Sequence, residues 1–235
     1  MLVNTTYRTS KSEILDDFEL QGEELNVSLQ DIARVNKWLG GNAVTLSGIE
    51  ELLNNFPKEK TVTIVDIGCG NGDMLREIAN HFEKKDRKLE LIGIDANANT
   101  IQQAEALSQS YPNISYKTID IFGAAFLQLN YDIGLCTLTL HHFKDQQITE
   151  MIPLFTKQSN LGVVINDLHR SKWAYYLFKI VSSIFIKSEI ARHDGLISIL
   201  RGFKKDELKA WAKTIEAQSS IKWKWAFRYQ WIIKK

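Results

Sequence analysis

The order of apolar and amphipathic segments predicts an α/β fold, a mostly parallel sheet with helices packed on both faces. Three observations carry that expectation. First, from residue 61 onward short apolar runs alternate with amphipathic stretches: TVTIVDI, residues 74–82, LELIGI, residues 101–107, ISYKTI, then YDIGLCT. Near-continuous apolar strands of this kind belong in a sheet covered on both sides. Second, the glycine-rich segment VDIGCGNGD at residues 65–73 follows a strand pattern and opens a helix pattern. Third, Asp66, Asp73, Asp95 and Asp120 recur at or just past the ends of successive strands, which gives the carboxyl edge of the sheet negative potential.

Composition bounds the rest. A chain of 235 residues, 44% hydrophobic and 24% charged, is long enough for a sizeable core and fits one decorated domain. Lys and Arg number 29 against 28 Asp and Glu, so the net charge of +1 supplies no field to recruit nucleic acid. Two cysteines, Cys69 and Cys136, fit a reducing compartment. The absence of a signal-like N-terminus or a long apolar run predicts a cytoplasmic chain with no membrane span.

Taken in order, residues 1–28 are polar and acidic, with Asp16, Asp17, Glu19, Glu23 and Glu24, and read as a mobile arm. Leu29, Ile32, Ala33, Asn36 and Leu39 share one helical face, which Gly40 and Gly41 end. Ser47 and Glu50 have capping-box spacing for a second helix, closed by Pro57. Residues 1–56 are therefore an arm and helical lid, and residues 57–235 the main domain. After the alternating segments, Ile148, Met151, Ile152 and Phe155 mark another helix, and LGVVIN a buried strand. Residues 168–203 insert an apolar, aromatic helix pair. Leu208, Trp211, Ala212 and Ile215 share a helical face, and IKWKWAF with YQWIIKK forms a closing antiparallel pair.

The glycine turn selects its ligand by charge. A dinucleotide site needs a small residue at position 73, where this chain has Asp73, and no lysine-bearing phosphate loop occurs. A carboxylate there repels pyrophosphate. Asp95, 29 residues after Asp66, is placed to accept from both ribose hydroxyls. A nucleoside bearing positive charge satisfies both facts.

VDIGCGNGDML, LIGIDAN, TIDIFG and YDIGLCTLTLHHF, in this order, resemble the class I S-adenosylmethionine-dependent methyltransferases over roughly residues 60–170. The resemblance implies a Rossmann-like seven-stranded sheet whose last strand is antiparallel, with S-adenosyl-L-methionine as cofactor and S-adenosyl-L-homocysteine as product. It implies that Asp66 with Gly68, Gly70 and Gly72 holds the methionine moiety, Asp95 the ribose, and Asp120 with Ile121 the adenine. Cys69, Asp73, Ala96 and Thr137 complete that set. Arg34, in IARVNKWLGG, is a candidate for the methionine carboxylate.

The acceptor is narrowed by absences. The strand before CTLTLHH lacks the Asn/Asp-Pro-Pro-aromatic signature of nucleic-acid amino methylation, and no glutamate pair of the protein-arginine type follows it. Asn166 and Asp167 alone make a poor magnesium site, so no metal is expected. A small molecule remains. His141 and His142 follow the fourth strand as candidate bases for a phenol. His169, Arg170, Trp173, Tyr176, His193 and Arg201 are candidate acceptor contacts. The insertion together with HHF resembles bacterial natural-product and quinone-pathway methyltransferases, which implies O-methylation of a phenolic, polyketide-like or quinone-like compound. Carbon or nitrogen methylation, or a non-catalytic cofactor-binding scaffold, are the alternatives, with the chain acting as monomer or homodimer.

Overall fold

The computed structural model describes residues 3–235, so the first two residues of the expected arm lie outside it. A 3-10 turn at Ile14–Asp16 precedes α1 (Glu23–Trp38) and α2 (Gly41–Leu53). The main domain runs β1 (Val62–Ile67), α3 (Asp73–Glu83), β2 (Leu89–Asp95), α4 (Ala98–Leu107), β3 (Ile114–Thr118), α5 (Ala124–Leu127), β4 (Tyr131–Thr137), α6 (Asp145–Gln158) and β5 (Ser159–Leu168). It continues through α7 (Lys172–Phe185), α8 (Glu189–Arg201), α9 (Lys205–Ala212), β6 (Gln218–Lys224) and β7 (Arg228–Lys234).

The seven strands lie in the order β3-β2-β1-β4-β5-β7-β6. Strands β1 to β5 are mutually parallel, and β7 runs antiparallel between β5 and β6. The chain winds outward from β1 to β3 and then returns to start β4 on the other side of β1. The strand ends flanking β1 therefore open into a crevice, the place where such sheets bind ligands.

Alternation along the strands divides the core into two layers. Val62 and Ile64 pack with Ile49 and Leu52 of α2 and with Leu75, Ile78 and Phe82 of α3. Val65 and Ile67 face the opposite layer, with Ile148, Ile152 and Phe155 of α6 and Leu208 and Trp211 of α9. In β7, Trp231 and Ile233 join the second layer and Ile232 the first. Fully burying such side chains contributes roughly 1.5–3 kcal/mol each.

The N-terminal elements depart from expectation. Helix α1 begins at Glu23, six residues before the expected periodic face starts, and its first turn already buries Leu25. Helix α2 begins at Gly41, after Gly40 in the left-handed conformation (φ 74°), and Ser47 lies inside it with its hydroxyl bonded to the Val44 carbonyl at 2.9 Å. The spacing of Ser47 and Glu50 is therefore no cap. The short α5 was absent from the sequence pattern, since four residues are too few to show a period.

The arm is also not free. Arg170, fully buried, donates to the Thr5 and Thr6 carbonyls, both at 3.1 Å, to the Gly202 carbonyl at 2.5 Å, and bidentately to Glu207. Arg8 reaches across to the carbonyls of His141 (2.8 Å), Phe143 (2.9 Å) and Arg201 (2.7 Å), with its guanidinium over the Phe203 ring. Both Asp194 oxygens accept from the arm, taking the Ile14 and Leu15 amides at 2.9 Å. The polar composition that suggested mobility supplies the bonds that fasten the arm across α8.

Replacing Arg170 strands Glu207 and three carbonyls at once, and breaking a buried ion pair from one side costs about 3–5 kcal/mol. Arg170→Ala is expected to lose about that much stability in urea denaturation. A loss within about 0.5 kcal/mol, the range of ordinary surface changes, would show that the arm does not depend on it.

Candidate functional site

The turn after β1 is shaped by positive φ angles at Gly68 (72°), Gly70 (52°) and Gly72 (77°). Two of these positions also lack room: a Cβ on Gly68 would lie 2.3 Å from the Thr139 methyl, and one on Gly72 would lie 2.0 Å from the Tyr116 hydroxyl. Gly70 instead faces open space, and its amide donates to Asp95 Oδ2 at 3.1 Å. The turn is thus buttressed on both sides and open at its middle, as close approach of a ligand to backbone requires.

Asp66, next to last in β1, is almost fully buried, and its Oδ1 has no hydrogen-bond partner. Burial, reinforced by Asp95 and Asp73, pushes its pKa up to about 7. A buried acid without a partner is costly, and a cation placed against Oδ1 removes the cost. Asp95 at the tip of β2 is raised too, chiefly by burial, while the amides of Asn97 (3.0 Å) and Gly70 hold it back. Each of its oxygens keeps a lone pair for a hydroxyl donor. The residues present therefore fit a ligand with an ammonium or sulfonium group and a ribose.

Around that centre, Asp73 opens α3 and accepts from Asn42 at 3.3 Å, and buried Cys69 has its thiol pushed up by burial and by Asp66 and Asp95. Half-buried Ala96 follows Asp95. Asp120 is exposed past β3 and caps the Phe122 amide at 3.0 Å, with half-buried Ile121 beside it on the core. Thr137 ends β4 with its hydroxyl 3.1 Å from that of Thr45. Asn166 ties the Thr45 hydroxyl (3.0 Å) and the Gly41 carbonyl (2.9 Å) to β5, which fixes α2 over this end of the sheet. Arg34 bonds Asp31 (2.5 Å) and the Phe185 carbonyl (3.1 Å), and no hydrogen bond links it to the glycine turn.

The two histidines occupy a 3-10 turn after β4 and differ sharply. His141 is buried, with Nδ1 2.7 Å from Asp167 Oδ1 and its amide donating to Asp167 Oδ2 at 3.1 Å. Burial alone would lower its pKa, but Asp167 and Glu13 outweigh that and push it up to about 9. Its Nδ1 is thus taken by Asp167 and its Nε2 faces Glu13 Oε1 at 3.5 Å, so two carboxylates hold the ring in place. His142 keeps more exposed surface, its Nδ1 lies 2.6 Å from Asp16, and it is near enough for its charge to lower Asp95.

The expected acceptor contacts separate into two groups. Arg170 and Arg201 are consumed internally: Arg201 is buried, bonds Asp16 at 2.5 Å, and donates to the carbonyls of His141 (3.1 Å) and His142. His193 pairs with Asp194 at 2.9 Å, and the Tyr176 hydroxyl accepts from the Val3 amide at 3.1 Å. Trp173 is 74% exposed on α7, so it lines no closed pocket by itself. His169 accepts from the Trp223 indole at 3.2 Å, and burial lowers its pKa. The sequence reading missed Glu13, whose carboxylate lies beside both histidines; a single acid in a polar arm carries no periodic signal.

Residues 64–157 match the family model described as methyltransferase domain. "Putative methyltransferase 235L" of Invertebrate iridescent virus 6 is 37% identical over 112 residues, which cover 46% of this chain and 39% of that protein. The chain thus spans about two fifths of the length of the curated relative it matches. The plantazolicin methyltransferase BpumL, solved with S-adenosylhomocysteine, superposes with a TM-score of 0.66 at 16% identity over 90% of this chain and 96% of that one. Magnesium protoporphyrin IX methyltransferase from Synechocystis PCC 6803, solved with S-adenosylmethionine, gives 0.54 at 16% identity over 94% and 89%. The chain has the Rossmann-like methyltransferase fold, and its glycine turn lies within the matched domain.

Asp66 supplies a pH test. Its folded-state pKa is raised from about 4 to about 7, so its ionisation opposes folding. Stability is unaffected below about pH 4 and falls as pH rises through 7, by on the order of 4 kcal/mol at most. Without ligand, Asp66→Asn is expected to be the more stable protein at pH 8 and equal at pH 4 in chemical denaturation. A parent as stable as the variant at pH 8 contradicts the assignment.

Proposed function

We propose that this chain transfers the methyl group of S-adenosylmethionine to a small acceptor, a phenolic, polyketide-like or quinone-like hydroxyl compound. The observation that carries the reading is Asp66 Oδ1, buried without a partner beside a glycine turn whose middle faces open space. Asp66 and the turn through Gly68, Cys69, Gly70, Gly72 and Asp73 would hold the methionine end. Asp95 and Ala96 would take the ribose, Asp120 and Ile121 the adenine, and Thr137 the floor beneath the reacting carbon. When bound, the cofactor supplies a methyl group on a positively charged sulfur.

This chain's own contribution is chiefly orientation and exclusion of water. Helix α2, anchored through Asn166 and Thr45, covers the crevice from one side. The arm, anchored through Arg8 and Arg170, closes the side on which the histidines lie. Holding acceptor and donor in line removes much of the entropic barrier to a displacement. Any proton shed by the acceptor would leave on the side of His142. His141, held between Asp167 and Glu13, positions that turn. Because Asp167 engages His141 Nδ1 and Glu13 faces its Nε2, transfer to a carbon or nitrogen that needs less deprotonation is the second reading.

Isothermal titration with S-adenosylmethionine and with S-adenosylhomocysteine is expected to show one site per chain, weakened about tenfold or more in Asp95→Ala by loss of charge-assisted hydrogen bonds. Lack of binding by both compounds overturns the proposal. Fragmentation of the methylated product by mass spectrometry separates oxygen from carbon or nitrogen as the accepting atom.

A further inference from the structure

Where the arm crosses the 3-10 turn, one donor atom each from Glu13, His141 and His142 lies within 4.8 Å of the others. Two of these residues are almost fully buried, and both Glu13 Oε1 and His141 Nε2 lack any hydrogen-bond partner among the described residues. These complementary groups face each other at 3.5 Å. That is too long for a hydrogen bond and close to the spacing of about 3.4 Å between two ligands in a tetrahedral zinc site with bonds of about 2.0–2.1 Å.

We infer that Glu13, His141 and His142 form a binding site for one divalent metal ion of the zinc class, held by two imidazole Nε2 atoms and one carboxylate. The outer contacts are those that metal-bound histidines use. Each ring presents its other nitrogen to a carboxylate, His141 Nδ1 to Asp167 at 2.7 Å and His142 Nδ1 to Asp16 at 2.6 Å, so that an ion would take the place of the Nε2 proton and release it on binding. The rings are tilted by only 32° with centroids 4.3 Å apart, so both Nε2 atoms turn toward Glu13. Ser198 holds the other Glu13 oxygen at 2.8 Å, leaving Oε1 for the ion.

The local charge favours a cation as well. Glu13, Asp16 and Asp167 converge on the rings against two guanidiniums, Arg201, which bonds Asp16 and lies 3.7 Å from Glu13 Oε1, and Arg8, which is spent on the carbonyls of His141 and Phe143. Two nitrogens and one oxygen suit zinc, cobalt or iron(II) better than magnesium, which demands oxygen donors. Three protein ligands, one of them on the partly exposed His142, leave a further position on the crevice side for an acceptor oxygen. The sequence reading expected no metal because it tested only Asn166 and Asp167 as a magnesium site. The third ligand here comes from the arm, 128 residues before His141 in the chain.

Cobalt(II) tests the site without cofactor or acceptor, so its outcome is independent of methyl transfer. Chelator-treated full-length protein titrated with Co2+ is expected to take up one equivalent with visible ligand-field bands, which Zn2+ displaces and Mg2+ does not. His142→Ala should abolish the bands, and Asp16→Asn should weaken uptake by about 10- to 100-fold while leaving all three ligands in place. His81→Ala, a surface histidine paired with Glu50, should change nothing. Absence of saturable uptake by the folded protein, or uptake that His142→Ala leaves intact, overturns the assignment and leaves an ion-pair cluster of Glu13, His141 and Arg201.

Discussion

The architecture turns on a carboxylate that the fold buries and leaves without a partner. Asp66 sits at the end of the central strand, where β2 and β4 flank it and the glycine turn blocks solvent. Burial lifts its pKa, and Asp95 and Asp73 raise it further. Among the described residues no neighbouring cation answers it, although Arg76 is near enough to bond the Asn71 carbonyl in the same turn. A sheet that gathers Asp66, Asp73 and Asp95 at its carboxyl edge, with His142 only a partial counter-charge to Asp95, is suited to a positively charged ligand and repels a pyrophosphate. The left-handed glycines serve the same end by opening the backbone to a ligand at Gly70.

A second network closes the opposite wall. Arg8, Arg170 and Arg201 spend most of their donors on carbonyls of the arm, the His141 turn and the α8–α9 connection. Guanidinium groups with several fixed donors suit such backbone cross-links better than lysine would. Through them the arm delivers Glu13 and Asp16 to the histidine turn, so residues far apart in the chain meet beside the cofactor crevice. The acidic arm and the basic insertion are one structure.

The sheet was largely legible in the sequence because buried parallel strands leave apolar runs and the glycine turn has a local pattern. The strands from TVTIVDI to YQWIIKK fall close to where expected, except that β6 runs Gln218–Lys224 and the last residues of IKWKWAF form the turn, and the single antiparallel strand is β7. The α7 and α8 insertion was legible for the same reason. What was not legible depends on contacts distant in sequence. Arg170 and Arg201 read as acceptor contacts because an arginine in an insertion looks the same whether it faces a ligand or an internal carbonyl. Glu13 gave no signal at all, and Ser47 gave a false one because its hydroxyl had a nearer carbonyl to bond. The cofactor side is encoded locally, the acceptor side through tertiary contacts.

Counting protons exchanged on ligand binding tests the buried-acid account most directly. Titration calorimetry near pH 6.5 in buffers of differing ionisation enthalpy should show release of up to about three quarters of a proton when S-adenosylhomocysteine binds, as its ammonium group ionises Asp66. Methylthioadenosine, which lacks that group, should release none, and Asp66→Asn should release none with either. Equal proton release by the two compounds, or none by S-adenosylhomocysteine, would contradict a site organised around Asp66.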